Sequence, residues 1–155
     1  MSYEIKNRAG FSLLEILVAM AIMAILGGIM VGQYISYTQD ARLLRIQSDL
    51  AELDSALIRY QIDNFMLPTS EQGLKALTSK PHTSPRPKNY PNSGYLASLS
   101  KDPWGNDYQY ASPGEFGRYD IYSLGQDGME GGEGINTDLG NWNIAEAIRN
   151  HKNAE

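Results

Sequence analysis

NRAGFSLLEILVAMAIMAIL occupies residues 7–26. From Phe11 to Gly32 the only charged residue is Glu15. A run of that length matches the ~20 apolar residues with which an α-helix crosses a bilayer core of ~30 Å. Residues 11–35 are therefore predicted to form a transmembrane helix. A lone carboxylate within hydrocarbon is costly even on lenient insertion scales, so Glu15 calls for a partner. Ala19, Ala21, Ala24, Gly27, Gly28 and Gly32 are small enough to let a second helix approach closely in lipid.

Upstream of the run stands MSYEIKNRAG, where Lys6 and Arg8 are set against Glu4. A short leader with excess positive charge stays on the cytoplasmic side, which places the chain beyond residue ~35 on the far side of the membrane. Small residues do not close the apolar run as they close an ordinary secretory signal. Cleavage, if it occurs, falls before the run, and the apolar segment stays in the protein.

Downstream, the helical pattern changes character without stopping. Leu43, Ile46, Leu50, Leu53, Leu57 and Tyr60 recur at steps of three and four, one apolar stripe on a helix that is otherwise polar. No proline or glycine interrupts residues 33–63, so the apolar and amphipathic halves read as one helix of roughly 80 Å over 11–63, ended by Asn64 and Pro68. Thr69 and Gln72 form a capping-box pattern that predicts a short helix through Leu77. Four prolines make residues 78–94 a loop. DYQYA (107–111) and RYDIYS (118–123), joined by SPGEFG, alternate like the arms of a β-hairpin. Such a hairpin is too small to stand alone and needs the helix to cover its apolar face. The fold class is α+β, one long N-terminal helix packed on a small antiparallel β-sheet. NIAEAIRNHKNAE, from 143, reads as a short helix or a frayed tail.

The net charge of −5 resides in one place. Asp120, Asp127, Glu130, Glu133 and Asp138 carry −5 within residues 120–138, where there is no Lys or Arg, and the rest of the chain sums to zero. This argues against a nucleic-acid footprint and for a cation. Residues 123–142, SLGQDGMEGGEGINTDLGNW, hold six glycines among these acids. A loop with only oxygen ligands suits Ca²⁺ or Mg²⁺ rather than zinc, although its spacing is not that of an EF-hand. The chain has no cysteine. His82 and His151 are expected to be solvent-exposed, and no nucleophile–base set or phosphate loop is present, so the chain reads as a non-enzyme.

Gly10-Phe11-Ser12-Leu13-Leu14-Glu15 resembles the processing site of type IV prepilins and type II secretion pseudopilins. Tyr60–Asn64, TSEQGLKAL (69–77), PKNYPNSGYL (87–96), KDPWGNDYQY (101–110), YDIYSLGQDG (119–128) and DLGNW (138–142) together resemble the major, G-type pseudopilins of bacterial type II secretion systems. The resemblance implies a type IV pilin-like fold and a leader, residues 1–10, removed after Gly10 by a prepilin peptidase. It implies an N-methylated Phe11, and a Glu15 that neutralises the terminal amine of a neighbouring subunit and sets the assembly register. Residues 36–155 would be a periplasmic globular domain, anchored by the helix in the lipid of the inner membrane.

The resemblance also implies a structural Ca²⁺ in the C-terminal loop, bound by the carboxylates of Asp127 and Asp138 and the carbonyl of Leu124. Many relatives have a further acid where this chain has Asn136-Thr137; Asn136, Glu133 or water would take that place. The function implied is a homopolymeric subunit of the periplasmic pseudopilus, which helps drive folded exoproteins across the outer membrane. Its partners would be minor pseudopilins and an inner-membrane assembly platform, with no nucleic acid. The alternatives are a type IV pilin or DNA-uptake pseudopilin subunit, against which the missing cysteine pair argues, and a monomeric membrane-anchored calcium-binding module.

Overall fold

A computed structural model describes residues 12–153, with only the backbone described for residues 27–37. Gly10 and Phe11 lie outside the described residues. The chain divides into two compact units, Met1–Gln39 and Asp40–Glu155.

Helix α1, Leu13–Asn64, runs for 52 residues without a break. It starts at Ser12, whose Oγ accepts the Leu14 N–H at 3.3 Å, one of the donors a helix N-terminus leaves unmatched. Glu15 stands in this first turn, where the helix dipole favours a negative charge. Leu13, Leu14, Leu17, Met20 and Met23 are all exposed, so this stretch presents apolar side chains around its circumference. Among the described residues no helix is long and apolar enough to cross a membrane. The expected span of residues 11–35 falls partly outside them, because Phe11 and the side chains of 27–37 are not described.

In the second unit the predicted stripe faces inward. Ile46, Leu50, Leu53, Leu57 and Tyr60 are buried, with Leu43 packed at their edge. Ala56, off the predicted stripe, joins them because its small side chain lets the covering layer approach. The helix ends as expected at Asn64, through a device local pattern does not reveal. Asn64 is buried; its Nδ2 donates to the Tyr60 carbonyl (3.0 Å) and to Tyr95 Oη (2.9 Å), and its Oδ1 accepts the Asn89 N–H at 2.9 Å. The next residue, Phe65, takes the left-handed conformation with φ 60° that closes many helices.

The capping box forms: Thr69 N–H donates to Gln72 Oε1 at 3.1 Å, and Gln72 N–H to Thr69 Oγ1 at 3.2 Å. The short helix expected through Leu77 follows in 3₁₀ form. Gly73, at φ 59°, breaks the turn, and only a 3₁₀ segment, Leu74–Leu77, comes after it.

The sheet has three antiparallel strands in sequence order: β1 Gln109–Ala111, β2 Asp120–Ser123 and β3 Leu139–Gly140. Tyr110 pairs with Ile121 and Ala111 with Asp120, while Tyr122 pairs with Gly140. The hairpin is thus where the alternation places it, and β3 is an addition. Because side chains alternate across a strand, Ile121 and Ser123 turn toward α1 and are fully buried, and Asp120 and Tyr122 belong to the opposite face. Two phenols tie the sheet region to the helix: Tyr108 Oη donates to Asp49 Oδ2 at 2.9 Å, and Tyr119 Oη donates to Asp54 Oδ1. Both phenols are held well above the ordinary tyrosine pKa, by burial first and by the carboxylate partner second.

Residues Ile144–Asn153 form helix α2, which settles the C-terminal segment as a helix. Ile144 is buried, and Ala147 and Ile148 pack on the core. His82 is exposed as expected, but His151 is half-buried, because α2 brings its Nε2 to 3.5 Å from Asp40 Oδ1.

Candidate functional site

The acidic glycine loop departs from the end of β2 and is anchored before it begins. Asp102 is almost fully buried; its Oδ1 accepts the Trp104 and Asn106 N–H groups at 3.0 and 2.7 Å, holding the Asp-Pro-Trp-Gly turn. Its Oδ2 accepts the Ser123 hydroxyl at 2.6 Å, and Ser123 Oγ in turn accepts the Gly125 N–H at 3.2 Å. Asn106 Nδ2 donates to the Gly125 carbonyl at 3.0 Å. The loop therefore starts from a fixed point.

Beyond it, the chain folds back on itself. Gln126 N–H donates to the Ile135 carbonyl at 3.1 Å, bringing residues 125–126 against 135–136. The approach is close enough that a Cβ on Gly125 would sit 2.7 Å from the Asn136 carbonyl carbon, and Gly125 has φ 69°; both conditions demand glycine. Leu124 and Asn136, two of the expected ligand positions, thus flank one crossing.

Asp127 lies on the exposed side, where Oδ1 accepts the Met129 N–H at 3.2 Å. Asp138 Oδ2 accepts the Gly131 N–H at 2.9 Å, and Asp138 Oδ1 is buried with no donor. Among the described residues there is no group of three or more His, Cys, Asp or Glu side chains able to hold a metal. A Ca²⁺ here would depend on carbonyl oxygens as well as on two carboxylates, which its variable coordination permits. The donor chemistry fits, and Asp138 Oδ1 is the buried oxygen that a cation would satisfy.

A cleft of about 600 Å³ opens on the sheet face turned away from α1. Its lining includes Asp120, Asp138 and Glu130 from the acidic locus, Glu115 and Phe116 from the hairpin connection, and Trp142. Phe116 stacks on Trp142 with ring centroids 4.4 Å apart and planes at 19°. Asp120, only 3% exposed, receives the Glu115 and Phe116 N–H groups on Oδ2 at 2.6 and 3.1 Å, while Oδ1 has no donor. Along the sequence Asp120 is one of a run of acids and SPGEFG a connection between two strands. The pairing of Ala111 with Asp120 is what brings the two together.

Comparison with known proteins agrees across the chain. The family described as type II secretion system (T2SS), protein G matches residues 33–142, and the prokaryotic N-terminal methylation motif matches residues 5–31. The type II secretion system core protein G of Vibrio cholerae is 46% identical over 141 residues, covering 91% of this chain and 96% of that protein. The protein of the same name from Pseudomonas aeruginosa is 44% identical, covering 88% and 96%. The crystal structure of the major pseudopilin from the type 2 secretion system of enterohaemorrhagic Escherichia coli superposes with a TM-score of 0.64 at 44% identity, over 70% of this chain and 92% of that one.

Proposed function

The chain belongs to the type II secretion system protein G family and is a structural subunit of the pseudopilus, and from that premise we propose how its parts divide the work. The family is one of filament subunits, not of enzymes, and we read no catalytic role into this chain. Residues 11–35 would anchor it in the inner membrane and pack subunit on subunit in a homopolymer, with residues 36–155 in the periplasm. Cleavage after Gly10 and methylation of Phe11 would precede assembly, as the methylation motif over residues 5–31 suggests.

The observation that carries this reading is the surface of α1 from Leu13 to Leu26, where apolar side chains lie exposed beside one acid, Glu15. Two charges that are each costly in lipid become tolerable when paired, and a pair specifies a register more than it adds stability. Glu15 would therefore answer the free amine of a neighbouring Phe11. Growth of the filament, with minor pseudopilins and an inner-membrane platform, would move folded exoproteins toward the outer membrane.

Ca²⁺ would serve the acidic loop as a structural ion. Leu124, Asp127, Asn136 and Asp138 would hold it, and when bound it supplies charge that cancels the repulsion between the carboxylates. A loop with so many glycines loses much entropy on ordering, which ion binding offsets. The chain's own residues do the rest: Ser123, Asp102 and Asn106 hold the loop's first turn in place.

Intact mass and calcium content of protein from host membranes test both halves. A chain starting at methylated Phe11 with about one Ca²⁺ is expected. A chain still carrying residues 1–10 and free of calcium would overturn the reading. Glu15→Gln is expected to abolish filaments without changing the fold of residues 40–155, and normal filaments from that variant would remove Glu15 from assembly.

A further inference from the structure

The cleft between the 113–116 turn and the acidic loop lies outside the assembly helix, and only Asp138 is shared with the proposed calcium ligands. Its floor is Asp120, whose side chain is nine-tenths buried and whose Oδ1 lacks a donor. Its rim carries Glu115 and Glu130, both exposed. Tyr122 stands in the wall, its ring centroid 5.6 Å from that of Trp142. Phe116, 60% exposed, holds its ring flat on Trp142 at the cleft mouth. Carboxylates beside an open aromatic face suit a planar cation that can stack and donate hydrogen bonds at once, which is the chemistry of a guanidinium.

The complementary charge is on this chain. Residues 72–100 contain Lys75, Lys80, Arg86 and Lys88 with no Asp or Glu. All four are exposed, and none forms an ion pair among the described residues. Arg86 projects from the proline loop with Nε donating to the His82 carbonyl at 2.8 Å, which orients the guanidinium without neutralising it.

We infer that the cleft formed by Glu115, Asp120, Glu130 and the Phe116–Trp142 pair receives Arg86 from the proline loop of a second copy of this chain. The inference rests on the assembly reading above and adds a head-to-tail contact between globular domains. Such a contact uses different surfaces on the two copies and so propagates along a filament instead of closing a dimer. It is electrostatic at its rim, and raising the ionic strength weakens it.

The absence of native cysteine permits a direct test. In filaments of the full chain, the double variant Glu115→Cys, Lys88→Cys is expected to give disulfide-linked ladders. Adding Glu130→Arg is expected to reduce the ladder roughly threefold to fivefold, the scale of an exposed charge pair, and adding Arg86→Glu to that background to restore it. All of these positions are exposed, so the fold is not at stake. Intact filaments that give no ladder and are indifferent to Glu130→Arg would overturn the contact while leaving assembly through the helix standing. Unchanged ladders with secretion lost on Glu130→Arg would show that the cleft serves another protein, which also overturns it. Failure of the unsubstituted chain to form filaments would instead refute the assembly reading itself.

Discussion

Ser123 donates its hydroxyl to Asp102 at 2.6 Å across 21 residues of sequence, and both side chains are buried. This bond couples the Asp-Pro-Trp-Gly turn to the strand from which the acidic loop departs. Ser123→Ala leaves one carboxylate oxygen without its donor in a dry site, and a stability loss of about 2 kcal/mol is expected. Urea denaturation of the variant measures it. Because Ser123 Oγ also accepts the Gly125 N–H, the same variant is expected to admit protease at residues 125–135 sooner than the parent chain does.

Gly140 in β3 sits against the ring of Trp142. A Cβ at this position would lie 2.2 Å from Trp142 Cζ3, far inside contact distance. Gly140→Ala must move the indole, and with it the Phe116 stack. A red-shifted tryptophan emission and a stability loss of roughly 1–3 kcal/mol are expected, as for other overpacked sites. An unchanged emission maximum would show that the ring is not held there.

Phe65 closes α1 in a left-handed conformation at φ 60°, and its side chain is 90% exposed. A non-glycine residue is strained at such a position by roughly 1–2 kcal/mol. Phe65→Gly forfeits little packing, and a net gain of about 0.5–1 kcal/mol is expected after the entropy that glycine adds to the unfolded chain. Thermal denaturation measures the gain as a higher Tm. A lower Tm would show that the exposed ring has a contact that matters more than the strain.

Tyr95 lies at the junction of the helix end and the proline loop, with Oη donating to Asp63 Oδ2 at 3.1 Å and accepting from Asn64 Nδ2. Burial first, and the Asp63 hydrogen bond second, raise its pKa from 10.0 to about 12. A raised folded-state pKa means that the fold prefers the protonated phenol. This stabilisation is fully present below pH 10.0 and is lost as pH rises through about 12. Urea midpoints measured across that window are expected to fall for the parent chain and to fall less steeply for Tyr95→Phe. Parallel curves would remove Tyr95 from the alkaline transition.

What the sequence determined by itself is what depends on short spacings. The stripe from Leu43 to Tyr60, the Thr69–Gln72 box and the alternation in DYQYA and RYDIYS are local periodicities, and the chain meets them as read. The N-terminal motif and the downstream segments carried the family in the same way. Gly73 shows where this stops, since the capping box predicts a short helix through Leu77 but not that a residue at positive φ leaves it as a 3₁₀ segment over Leu74–Leu77.

Tertiary structure decided what joins distant segments. Leu139-Gly140 is too short to show alternation and becomes a strand because Asn141 exchanges hydrogen bonds with Ile121, its N–H reaching the carbonyl and its Oδ1 accepting the N–H. His151 leaves solvent only because α2 lays it beside Asp40. Asp120 looks like any other member of an acidic run until strand pairing folds residues 113–116 over it. Burial and hydrogen-bond satisfaction depend on neighbours in space, and no spacing along the chain encodes them.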